Sequence, residues 1–238
     1  GRGLPRALSP IRASPDRPPA RRVTGMGGLT ALHYAARAGL MDSVRALVEV
    51  GANVDRRNPV DYTTPLVVAI INGRYDVAKY LVDHGADPNA REIDGLTPLY
   101  AALESRWAGV AWTPTASTAD SGIVQQKVTY LELMKVLLEQ GANPEIKLAK
   151  TPWYNPPHHA QRWVQWAGTT PFWRAAQATD LDAIKLLIAY GADGRIPSDE
   201  NTTPLMAAAT TGDNLTTLQS LLDFGADAAA IRTAMMVS

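Results

Sequence analysis

The sequence predicts an all-α solenoid of five stacked helix-turn-helix repeats that carries two inserted loops. Two observations predict it. Thr-Pro-Leu or a near variant opens five segments, at Thr30, Thr64, Thr97, Thr170 and Thr203. A Gly-Ala pair closes each of them, beginning at Gly51, Gly85, Gly141, Gly191 and Gly225. A unit of roughly 33 residues cannot bury its own apolar face and must stack on copies of itself, so the period fixes the fold before any single residue is interpreted.

Each element of the unit has a physical reason. Thr caps a helix start through its hydroxyl, and Pro65, Pro98, Pro171 and Pro204 suit a first helical turn, where a missing N–H costs nothing. Pairs of Ala let helices approach, with Leu32, Leu66, Leu99, Phe172 and Leu205 as the interior beside them. Gly51 and its equivalents end the second helix in a left-handed conformation. The best copy runs Gly28-Leu29-Thr30-Ala31-Leu32-His33-Tyr34-Ala35-Ala36-Arg37-Ala38-Gly39, then Val44, Leu47, Val48 and Gly51-Ala52-Asn53. This pattern resembles the ankyrin repeat over most of residues 27–228. Repeats are expected near 27–59, 60–92, 93–146, 166–198 and 199–228, within a domain of residues 26–238 that ends in a short helical tail, 229–238. The histidine of the pattern survives only as His33; Val67, Tyr100, Trp173 and Met206 stand at the matching positions. A local hydrogen-bonding role there is therefore not expected to be general.

Spacing locates the insertions. From Thr to Gly the first, second and fourth repeats take 21 positions and the fifth 22, but the third takes 44, so about 23 residues are added between its two helices. From Gly to the next Thr the step is 12 or 13, except that Gly141 to Thr170 takes 29, an extension of about 16 residues. All six tryptophans lie between positions 107 and 173, and five of them, Trp107, Trp112, Trp153, Trp163 and Trp166, fall in the two insertions. Aromatic residues on loops held by a rigid scaffold offer large apolar area at low entropic cost, which marks them, with Tyr154, as candidate partner contacts. A satellite core packed on the solenoid flank explains the same clustering. The loop tips add Arg56, Arg57 and the pair Arg91-Glu92 as candidate contacts.

The first 25 residues read differently. They hold five prolines and six arginines against one acid, Asp16, with no apolar periodicity, and are expected to form a disordered arm or linker that trypsin removes. The whole chain balances 23 basic against 23 acidic groups, so this arm of charge +5 sits on a body of −5. Sparse Arg among Pro lacks the density of a nucleic-acid tract, and nucleic acid is not expected as a partner. The longest apolar run, Leu66 to Ile71, is far short of the ~18 residues of a membrane span. The opening Gly and the apolar tail from Ala228 to Val237 lead to the expectation of a piece of something longer.

Catalysis finds no support. The absence of Cys excludes thiol nucleophiles, zinc ribbons and disulfides, and no Gly-rich phosphate loop is present. His158-His159 is the one histidine pair, and adjacency is a poor ligand spacing, so no metal or other cofactor is expected. Asp180 and Asp182 precede the second helix of repeat four, where they suit a helix N-terminus. Trp153-Tyr154 ahead of Thr170-Pro171-Phe172-Trp173-Arg174-Ala175-Ala176 is similar to long bacterial ankyrin-repeat proteins. That resemblance implies a multi-array chain and export to the periplasm or beyond, with a cytoplasmic location as the alternative. The leading functional reading is a non-enzymatic scaffold that binds a protein partner through its concave face, loop tips and Trp-rich insertions. A small-molecule or glycan site walled by the tryptophans is the second.

Overall fold

Five helix pairs follow one another through residues 28–107, 126–150, 166–210 and 215–224, the parts of the chain described by the computed structural model. Helix α1 (Ala31–Ala38) pairs with α2 (Met41–Glu49), α3 (Pro65–Ile71) with α4 (Tyr75–Asp83), and α5 (Pro98–Trp107) with α6 (Tyr130–Glu139). Helix α7 (Pro171–Gln177) pairs with α8 (Leu181–Ala189), and α9 (Pro204–Ala209) with α10 (Leu215–Asp223). No strand occurs among the described residues. The first helices stack as one layer, α1 on α3 on α5 on α7 on α9, and α2, α4, α6 and α8 stack behind them. Leu32, Leu66, Leu99, Phe172 and Leu205 are buried, as are the alanines beside them, including Ala36, Ala69, Ala102, Ala176 and Ala208.

The helix ends follow the expected chemistry. The hydroxyls of Thr64, Thr97, Thr170 and Thr203 accept from the N–H groups of Val67, Tyr100, Trp173 and Met206 at 3.2–3.4 Å. Gly51, Gly85, Gly141 and Gly191 have φ of 84–87°. After α2, Gly51 N–H bonds the Val48 carbonyl and Ala52 N–H bonds that of Leu47, which satisfies two end carbonyls.

At the His33 position the structure adds to the local bond one that reaches the next repeat. His33 is fully buried; its Nε2 donates to the Thr63 carbonyl at 3.1 Å, while Nδ1 lies 3.2 Å from the Thr30 N–H and 2.8 Å from its hydroxyl. Burial lowers the imidazole pKa and keeps the ring neutral. At the same position Tyr100 O–H donates to Thr169 Oγ1 at 2.9 Å, and Trp173 Nε1 donates to the Thr202 carbonyl at 2.8 Å. Thr169 in turn donates to the Trp166 carbonyl at 2.6 Å. His, Tyr and Trp therefore deliver one donor to the residue that precedes the next repeat's Thr, and histidine is not required.

The loops between pairs project as parallel fingers locked in register. The second residue after each Gly (Asn53, Asp87, Asn143, Asp193) accepts through its side chain from the N–H two residues on, at 2.8–2.9 Å. Two residues further on, Asp55, Asn89 and Glu145 accept from the N–H of Asp87, Asn143 and Asp193 in the next finger, at 2.7–2.8 Å. Backbone bonds close each finger, among them those from the N–H groups of Asn58 to Thr63, Glu92 to Leu96, Ser198 to Thr202, and Leu148 to Thr169. The third finger keeps this closure despite its extra residues, so the second insertion leaves from the finger tip after Lys150 and returns at Trp166.

Candidate functional site

The first insertion departs from a fixed aromatic platform. Helix α5 has ten residues where α3 and α7 have seven, so Trp107, expected within the insertion, is the last helical residue. Its indole remains 40% exposed, yet Nε1 donates to Asp180 Oδ2 at 2.8 Å. Tyr130, at the start of α6, donates its hydroxyl to the same oxygen at 2.9 Å. The other Asp180 oxygen accepts from Ala183 N–H at 3.0 Å and caps α8. Asp180 thus caps a helix, as expected, and also ties three helices together. The exposed Arg106 guanidinium lies 4.9 Å from the Trp107 ring and 5.7 Å from that of Tyr130. Burial, followed by the bond to Asp180, raises the Tyr130 phenol far above its ordinary pKa, so it stays a donor.

The insertion returns onto the second repeat. Asp76, in the first turn of α4, accepts from the N–H groups of Lys127 and Val128, and its own N–H donates to Gln126 Oε1 at 3.0 Å. An open cleft of about 340 Å³ lies there, lined by residues that include Met41, Arg45, Asp76 and Lys127.

The second insertion is based at the opposite end of the helices, ~15 Å away along a ten-residue helix. Trp166 is half-buried, packs on the core, and lies 5.1 Å beneath the Arg174 guanidinium. Arg174 forms a buried ion pair with Glu104 of α5. Trp166 therefore packs on the solenoid core, whereas Trp107 presents itself to solvent. Trp112, Trp153, Tyr154, Trp163 and His158-His159 lie outside the described residues.

On the fingers, Arg56, Arg57 and Arg91 are exposed, as a partner contact requires. Glu92 is not at the surface. It is buried, with Oε1 accepting from the N–H groups of Asp94 and Leu96 at 2.9 Å and Oε2 without a partner among the described residues. Burial pushes its carboxyl up to about 7, so it is a structural group of its finger. No cluster of His, Asp or Glu able to hold a metal, and no helix long and apolar enough to cross a membrane, occurs among the described residues.

A family model of ankyrin repeats matches the chain three times, over residues 16–92, 32–111 and 123–232. The chain belongs to the ankyrin-repeat family. It is 41% identical over 71 residues to protein phosphatase 1 regulatory subunit 27 of Homo sapiens, a match covering 30% of this chain and 46% of that protein. It is 34% identical over 96 residues to the B-cell lymphoma 3 protein homolog of Mus musculus, covering 40% of this chain and 21% of the relative. It is 45% identical over 74 residues to alpha-latroinsectotoxin-Lt1a of Latrodectus tredecimguttatus, covering 31% of this chain and 5% of the toxin. The chain thus spans less than half the length of each of these relatives.

Ankyrin repeats are, as a class, protein–protein interaction modules and typically not enzymes. Within this ankyrin array the sequence reading singled out Trp107 as a candidate, named neither Arg106 nor Tyr130 beside it, and took Asp180 only as a helix cap. No local signal joins Trp107 to Asp180, which is 73 residues away. Lys147 was also not named, although a register in the sequence marks it: it stands six residues after Gly141, as Arg57 does after Gly51 and Arg91 after Gly85.

Proposed function

We propose that this ankyrin array is a non-enzymatic scaffold for a protein partner, gripped by the concave face of the first helices, by Arg56, Arg57 and Arg91 on the fingers, and by the Trp-rich insertions. The proposed aromatic contacts are Trp107 at the end of α5, and Trp112, Trp153, Tyr154, Trp163 and Trp166 in the insertions. The observation that carries the reading is Trp107, a half-exposed indole held in place by a buried carboxylate. Fixing an aromatic before binding lowers the ordering cost at the interface, which is the property of a hot-spot side chain. A relative named as a regulatory subunit of a phosphatase supports binding rather than catalysis.

The test pairs two measurements on one set of variants. A partner is captured from the source organism by the chain with and without residues 107–128, and its affinity for Trp107→Ala, Trp153→Ala and Trp163→Ala is then compared with their melting temperatures. Contact predicts weaker binding at nearly unchanged melting temperature. Unchanged affinity with a loss of ~3–5 kcal/mol of stability per buried Trp would end the recognition role of these rings.

A further inference from the structure

We infer that the fingers of the first three repeats form a cationic rail for an extended acidic segment whose carboxylates recur about every third residue. The inference rests on the scaffold reading above and names the chemistry of what the fingers take. Its basis is the finger register. In every described finger the side chain two residues after Gly serves its own finger, and in the first three the side chain four residues after Gly serves the next one. Asp55, Asp87 and Glu145 are thereby engaged with backbone N–H groups. The sixth position takes no part in this ladder. It is Arg57, Arg91 and Lys147 in three successive fingers, all exposed.

Arg57 and Arg91 make no hydrogen bond or ion pair among the described residues, and Lys147 reaches only the Pro197 carbonyl at 3.2 Å. Pro197 occupies the sixth position of the fourth finger, so the cationic row ends there.

Spacing selects the ligand. Stacked helices lie ~8–10 Å apart, so the row advances by about that distance per repeat and spans ~20 Å from Arg57 to Lys147. A polyproline II segment rises 3.1 Å per residue with three residues per turn, which sets every third side chain on one face about 9 Å from the next. Acids at that spacing meet the row one cation per repeat. Adjacent acids meet a single finger only.

The experiment uses a fluorescent peptide of repeating Glu-Pro-Pro against one of equal composition with its glutamates consecutive, titrated with the full chain. The spaced peptide is expected to bind several-fold tighter and to weaken as salt shortens the Debye length. Arg91→Glu or Lys147→Glu is expected to weaken it by about two- to fivefold, the scale of an exposed ion pair. Lys185→Glu, on α8, provides the charge-matched control and is expected to change nothing. Equal binding of the two peptides, no binding of either, or indifference to Arg91→Glu overturns the inference. The scaffold reading is separable, because it is tested by capture of a protein partner and not by either peptide.

Discussion

Replacing Asp180 by Ala removes one carboxylate from three donors at once: Ala183 N–H at 3.0 Å, Trp107 Nε1 at 2.8 Å and Tyr130 O–H at 2.9 Å. Loss of the helix cap costs about 1 kcal/mol. A hydrogen bond to a charged acceptor contributes about 1.5–3 kcal/mol, and the half-buried Tyr130 hydroxyl loses most of that. The exposed Trp107 indole recovers a water partner, so its share is roughly 0.5 kcal/mol. Relief from burying a carboxylate offsets part of the sum, which leaves a loss of about 2–4 kcal/mol. Urea denaturation followed by far-ultraviolet circular dichroism measures it. Asp180→Asn separates the terms: Oδ1 still caps α8, but the amide nitrogen now faces the Trp107 N–H. It is expected to cost about 1–2 kcal/mol and to weaken partner binding more than its stability loss accounts for. A stability for Asp180→Ala within about 0.5 kcal/mol of the parent would refute the claim that this carboxylate holds the platform, since that is the scale of an ordinary surface change.

Three further outcomes follow from the same geometry. Glu104→Ala strands the buried Arg174 guanidinium and is expected to cost about 3–5 kcal/mol in denaturant melts; a loss below about 1 kcal/mol would show that solvent reaches the pair. Glu92 has its pKa raised by burial from 4.5 to about 7, so the folded state holds its proton more tightly than the unfolded chain. Its stabilising effect is complete below pH 4.5 and is lost as pH rises to about 7. Glu92→Gln should therefore match the parent near pH 4 and exceed it by on the order of 2–3 kcal/mol above pH 7, while parallel melting-temperature profiles would contradict this. Thr179 sits at φ 57° where the first two repeats have Gly39 and Gly73, so Thr179→Gly is expected to stabilise by about 1 kcal/mol, and a lower melting temperature would show that its side chain offsets the strain.

What could be read without coordinates is what repeats. Thr caps, Pro at the first helical turn, left-handed Gly and buried Leu or Phe are dictated by local backbone chemistry and by a period, so five copies state them five times. Even the rail of Arg57, Arg91 and Lys147 is a register in the sequence. The candidate site is legible only in part. Composition singled out Trp107 and Trp166 alike, but one is exposed on a carboxylate-anchored platform and the other packs under Arg174. Which of the two faces solvent depends on partners 73 residues distant for Trp107 and on the buried Glu104–Arg174 pair for Trp166, and no short-range pattern encodes such pairs. The same holds for the position shared by His33, Tyr100 and Trp173. Their residue types look unrelated, and only the stacked repeats show that each places one donor against the neighbouring repeat, because a buried acceptor there demands a donor but not a particular side chain.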